Sequence, residues 1–327
     1  MGQDLRGPTR ATSERLDEKR YVAAGKRAYV IGTADGSFPP QGTQITGEMG
    51  GVWAHPIKLL TGYWFALDGE WLPPAERFTS GAGYIQMQLP QFSGIEIARL
   101  EFSPDSLPGI LVALTLRKTA PGQRRCVLSM QARSQLLACY PWSNTQPTAE
   151  TLNAHDEAGY DPRRQALIFT RPDKRWQALI GATPQPSGGA AGDHYWGPLS
   201  QEQRASYSQW HFSAGGELRW ELNLDDGSEQ TIWIAIAGSD ISAAEADAVL
   251  ATALDQANDL LGAKIADREA LLARARLTLP EPELVAAYEW GKLNMADHRM
   301  AVPALAVRDV HGGKAYPPPI ALLRDRA

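Results

Sequence analysis

Cysteine is scarce in this 327-residue chain. Cys126 and Cys139 allow one disulfide at most, so no covalent framework holds the fold, and free thiols are expected. Long apolar runs are missing as well. None approaches the roughly 20 residues that cross a bilayer, and the opening stretch MGQDLRGPTRATSERLDEKR has no hydrophobic block of a secretory signal. A cytoplasmic protein with no membrane partner is therefore expected. Positive charge is not in excess: 32 Lys and Arg against 37 Asp and Glu leave a net charge of −5. That excludes capture of nucleic acid by bulk electrostatics. His55, His155, His194, His211, His298 and His311 are scattered without HxH or HExxH spacing, and no GxGxxG, P-loop or GxSxG occurs. No metal, no cofactor and no serine-hydrolase machinery is expected.

What the chain does have is length, tryptophan and alternation. Its 327 residues are enough for a large core without metal or disulfide staples. Ten Trp against seven Phe is an unusual balance, and Trp suits sugar stacking and domain interfaces as well as cores. Residues 1–20 mix charged residues with Gly, Pro, Ser and Thr and read as a disordered arm. From there to about residue 240 the pattern is all-β. Leu218, Trp220, Leu222 and Leu224 alternate with Glu217, Arg219, Glu221 and Asn223, giving one dry and one wet face. Ile85, Met87 and Leu89 alternate with polar neighbours in the same way. Ile110–Leu116 and Thr231–Ala237 are apolar on both faces and read as central strands covered on both sides. Further strands are expected at 27–32, 63–67, 95–102, 126–132, 165–170, 176–181 and 206–212. Such short runs, separated by turns like Leu67-Asp68-Gly69 and Asp225-Asp226-Gly227, predict a large antiparallel β-sandwich. Two long loops, 140–160 and 183–204, interrupt it.

At Ser242 the pattern changes. Ser242 and Glu245 form a capping-box pair, and Leu250, Leu254, Leu261, Ile265 and Leu272 recur at helical spacing through Arg276. One long helix is expected there. After Pro280 and Pro282 a second helix runs to about Met300, with apolar side chains on more than one face; such a helix needs companions to surround it. Only 301–327 follow, a Pro-rich segment, so the expectation is that the chain stops inside a second domain, with self-association through helix 283–300 as one way to cover it.

The most distinctive segment for function is Thr46–Tyr63. Gly47, Gly50 and Gly51 allow close backbone approach. Trp53 offers a stacking face, Glu48 an acceptor for sugar hydroxyls, and His55 and Lys58 bring polar tips nearby. The same residues also fit a domain-docking loop or a buried hairpin whose Trp fills the core. Trp196, following His194 and Tyr195, is a second platform candidate, or part of a plain surface loop. The aromatic strand Tyr63-Trp64-Phe65 with Trp71 reads as packing. Glycoside hydrolysis needs two acids facing one cleft; Asp156-Glu157 and Asp225-Asp226 are adjacent pairs in turns and do not supply that. No catalytic residue is assigned.

The segment Gly32–Pro40, the stretch TGEMGGVWAHPIKLLTGYWF, and above all AAYEWGKLNMADHRM followed by VRDVHGGKAYPPP resemble the N-terminal part of bacterial amylo-α-1,6-glucosidase-like proteins, in the glycogen-debranching and glucoamylase-type six-hairpin glycosidases. The resemblance runs over residues 20–320. It implies a β-supersandwich at 21–240, a linker helix at 241–279 and, at 280–327, the start of an (α/α)6 catalytic barrel that is truncated here. It implies an α-glucan or oligosaccharide as the partner of the full-length enzyme, with catalysis by an acid and a base on barrel loops beyond this chain. By that reading the chain alone is inactive. The alternative is a stand-alone carbohydrate-binding sandwich without chemistry.

Overall fold

The structure is a computed structural model, and it describes residues 5–38, 50–138, 155–208 and 213–301. The protein is mainly β, with two large antiparallel sheets and a few helices at the C-terminal end. In chain order the strands are β1 (Arg10–Thr12), β2 (Arg20–Ala24), β3 (Tyr29–Thr33), β4 (Gly51–Ala54), β5 (Ile57–Leu67), β6 (Glu70–Trp71), β7 (Arg77–Ser80), β8 (Ile85–Gln88) and β9 (Ile95–Phe102). They continue as β10 (Gly109–Lys118), β11 (Arg124–Ala138), β12 (Glu157–Asp161), β13 (Ala166–Thr170), β14 (Gln177–Thr183), β15 (Gly188–Ala191), β16 (Gly215–Leu224) and β17 (Glu229–Ser239). The helices are α1 (Gln201–Ser208), α2 (Ala243–Asp255), α3 (Ala257–Ala273) and α4 (Pro282–Asp297). None of the described helices is long and apolar enough to cross a membrane.

One sheet has nine strands in the order β1-β7-β8-β9-β10-β17-β14-β13-β12; the other has eight, β15-β16-β11-β5-β4-β3-β2, with β6 paired to β5. The two doubly apolar runs are neighbours in the middle of the first sheet, in register Val112↔Ile234 and Leu114↔Ile232. Ile110, Val112, Leu114, Ile232, Ile234 and Ile236 face the core between the sheets. Leu111, Ala113, Trp233, Ala235 and Ala237 face the other way and are covered by α2 and α3 through Ala246, Val249, Leu250, Leu261 and Ile265. Each side chain of this size taken from water is worth about 1.5–3 kcal/mol, so a strand apolar on both faces is stable only where both are covered. The β5–β6 hairpin turns at Asp68 (φ 52°) and Gly69 (φ 84°), the two left-handed residues that a type I′ turn requires.

Four expectations are corrected. Residues 10–12, inside the stretch expected to be a disordered arm, form β1 on β7, and Leu16 is buried. A three-residue edge strand is held by backbone bonds and leaves no side-chain period to read. The strand expected at 206–212 is replaced, over its described part, by the end of α1. Ser200 and Gln203 cap that helix reciprocally, Gln203 N donating to Ser200 Oγ (3.2 Å) and Ser200 N to Gln203 Oε1 (2.8 Å). The single long helix breaks at Gln256 (φ −115°, ψ 22°), just after Thr252 donates to the Ala248 carbonyl, an interaction that bends helices. The stretches expected to be long loops also carry regular structure, since β12, β15 and α1 begin within them.

The capping box at Ser242 is half present. Glu245 N donates to Ser242 Oγ at 3.2 Å, while the Glu245 carboxylate accepts from Ser239 Oγ instead. Cys126 is a buried free thiol, and burial raises its pKa; Cys139 lies outside the described residues.

Candidate functional site

Strand alternation decides which side chains of the eight-stranded sheet face away from the core. Tyr21, Ala23, Val30, Val52 and Ala54 point inward, so Ala24, Tyr29, Ile31 and Trp53 point outward, where they form a small separate cluster with Met300. Tyr29 and Trp53 are cross-strand partners with nearly parallel rings, centroids 6.0 Å apart. Lys58, opposite Trp53 on β5, holds its ammonium 4.9 Å from the indole centroid. His55 sits in the β4–β5 turn, with Nε2 at 3.0 Å from the Tyr29 hydroxyl. The indole nitrogen of Trp53 donates to the Gly50 carbonyl at 3.2 Å.

Trp53 is only 3% exposed, so both of its ring faces are occupied by protein and no sugar can stack on it. Trp53 packs instead with Ala24, Tyr29 and Met300, the last lying just beyond the end of α4. His55 is half-buried beside it, and Glu48 lies outside the described residues.

Trp196 lies elsewhere on the same outer face, by β11, with β5 between it and β4. The Arg133 guanidinium stacks on its ring, carbon to centroid 3.1 Å. Arg133 is buried and donates to Ser213 Oγ (2.6 Å), the Ser213 carbonyl (2.7 Å) and the carbonyls of Asp193 and Tyr195 (both 3.1 Å). Burial lowers its pKa to about 10, against the opposing pull of Asp193 and Asp156. Gly197 follows with φ +65° and packs so closely on Trp64 that a Cβ would come within 2.3 Å of the indole. Arg133 thus clamps 193–197 to the sheet, while Trp196 itself is half-buried. Trp53, His55 and Trp196 therefore share a face without meeting in one pocket.

Sequence reasoning missed the strongest polar cluster. Arg99 and Glu101 follow Ile95 and Ile97 on the inward face of β9, and Glu101 is fully buried. Its carboxylate accepts from Tyr21 (2.7 Å), Tyr63 (2.7 Å) and Arg99 Nε (2.5 Å), while Arg99 also donates to the Gly36 carbonyl at 3.0 Å. Burial raises both tyrosine pKa values, and the Glu101 charge adds to it. Burial pulls Arg99 down, but Glu101 more than offsets it, leaving a net rise. With no opening to solvent, this cluster ties the two sheets together. The i, i+2 spacing after two isoleucines was visible in the sequence, but charges at such positions usually mark a wet face.

A groove of about 400 Å³ runs between α3 and α4, lined by Leu271, Tyr288, Gly291, Met295 and Arg299 among others. On α4, Leu284 (55%) and the groove-lining Tyr288 (38%) and Met295 (67%) are exposed. Among the described residues no group of three or more His, Cys, Asp or Glu is arranged to hold a metal ion.

No protein-family model matches the sequence, and no curated protein matches it either. The fold is shared with solved carbohydrate-active enzymes. A human-microbiome protein assigned as a kojibiose phosphorylase superposes with a TM-score of 0.53 at 8% identity, over 85% of this chain and 39% of its own. A bacterial glucoamylase crystallised with acarbose gives 0.50 at 10% identity, over 91% and 42%. The chain thus spans about two fifths of the length of either. At such identities the likeness establishes the fold alone, a β-sandwich of two large antiparallel sheets followed by helices.

Proposed function

We propose that the chain is the non-catalytic N-terminal β-sandwich portion of a glycoside hydrolase acting on α-glucans, of the amylo-α-1,6-glucosidase-like kind. In that reading 21–240 is the supersandwich, 241–279 the linker, and α4 the first helix of an (α/α)6 catalytic domain that the sandwich braces. The observation that carries it is α4. A helix with Leu284, Tyr288 and Met295 turned to solvent on one side is shaped for neighbours that the described chain does not provide. The fold shared with a phosphorylase and a glucoamylase, each more than twice as long, supports the same reading. Without such neighbours, the same face would drive self-association.

The test is direct. The purified chain should release no glucose from maltooligosaccharides or branched glucans, and it should sediment as more than a monomer until Leu284 and Met295 are replaced by Gln. Hydrolysis abolished by a single substitution within 1–327 would overturn the reading. The alternative, a free-standing carbohydrate-binding module, is favoured by the partial exposure of Trp196. Saturable heat with maltoheptaose that is lost in Trp196→Ala, together with a monomeric chain, would decide for that module.

A further inference from the structure

Buried ions gather at one place outside the core, where α3 and α4 meet the sandwich. Asp105, in the β9–β10 turn, receives Lys264 from α3, Arg268 from α3 (3.3 Å) and Lys26 from the β2–β3 turn (3.3 Å). Lys264 and Arg268 are 1% and 3% exposed at their side chains. Lys264 also donates to the Ala24 carbonyl (2.8 Å), and Arg268 passes the chain of contacts on to Asp297, the last residue of α4 (2.8 Å). One turn later Met300 is buried in the Ala24–Tyr29–Trp53 cluster, and Ala301 N donates to the Lys26 carbonyl at 2.6 Å. The β2–β3 turn is thereby gripped twice, by α3 through Ala24 and by the end of α4 through Lys26.

The apolar contact of α4 itself is small: only Leu293 and Ala296 are buried along its length. Lys292 reaches the Leu272 carbonyl in the last turn of α3 (2.9 Å) and Tyr288 the Ala275 carbonyl just beyond it (2.9 Å), which ties the helices to each other but not to the sheets. Attachment to the sandwich therefore falls to the two ends of the network just described.

We propose that the Asp105 hub and the Tyr29–Trp53 socket for Met300 form a two-point latch that fixes the C-terminal half of α4 on the outer edge of the eight-stranded sheet. Trp53 is then the seat of an intramolecular contact, and Asp105 is a positioning residue for α4. The latch goes beyond the carbohydrate reading and stands on these contacts alone.

Amide hydrogen exchange on the full chain tests it, and because no sugar is involved its failure is separate from failure of the proposed function. Met300→Ala should speed exchange in 293–301 by roughly tenfold while 110–116 and 231–237 stay protected, and Met300→Leu should restore the slow rate. Asp105→Asn should speed the same segment, with the sandwich strands again as the control for folding. Exchange in 293–301 unchanged in both Met300→Ala and Asp105→Asn would refute the latch. So would opening of the sandwich strands in step with 293–301 in Met300→Ala, since the socket would then be part of the core.

Discussion

The sandwich and α4 sit in one chain and are held by opposite means. Between the sheets, apolar side chains from both faces interdigitate with almost no exposure, and the Arg99–Glu101 cluster there has both oxygens of Glu101 engaged. On α4, two residues are buried, three large apolar ones face water, and charged side chains make most of the contacts. A helix of 16 residues is marginal by itself in water, so α4 depends on its attachments more than any central strand does. The contrast shows that one element can be placed accurately without being covered.

The largest effect expected is inside the sandwich. Glu101→Ala leaves the Arg99 guanidinium and the two tyrosine hydroxyls buried without their acceptor, and should cost about 3–5 kcal/mol in urea unfolding. A loss under 1 kcal/mol would mean that the cluster does not tie the sheets. Next comes the direct comparison of the two regions. Leu114→Ala, fully buried on β10, should cost about 2–5 kcal/mol, while Leu284→Ala on α4 should stay within about 0.5 kcal/mol. Similar losses at both positions would erase the distinction between them.

The smallest effect is a pH dependence confined to the attachment of the helices. Burial raises the Asp105 pKa, but Lys264, Arg268 and Lys26 more than offset it and hold it at about 2. A carboxylate depressed below its unfolded value of about 3.9 adds stability that is present above that value and fades as pH falls toward 2, roughly 2–3 kcal/mol in all. Unfolding midpoints measured from pH 5 down to 2.5 should drop less steeply in Asp105→Asn than in the parent chain. Equal slopes would remove Asp105 from the account of acid sensitivity.

Much of the sandwich was legible because a buried sheet writes a period of two into its strands. The boundaries of β9 match its alternation, and the doubly apolar runs at 110–116 and 231–237 proved to be the adjacent centre of the larger sheet. What escaped was either too short to carry a period, as with β1, or too rich in glycine, as with β15. The Ser200–Gln203 spacing, which caps α1 in the structure, went unread, and a strand was expected at 206–212 in its place. The candidate site was read less well. Trp53 was left open between a sugar platform, a docking loop and a core residue; its neighbour Met300 lies almost 250 positions away, and nothing local in the sequence names it.

By itself, then, the sequence determined the outline: where strands alternate, which are dry on both sides, that helices take over at Ser242, and that the last helix carries more apolar surface than a lone helix can hide. Tertiary structure alone decided which polar groups went inside. A buried charge is tolerable only when its acceptors and donors are brought to it, and Glu101 gathers them from Tyr21 and Tyr63 while Asp105 gathers them from Lys26, Lys264 and Arg268. Those residues are distant along the chain and have no shared pattern until the sheets stack and α3 lies down across them.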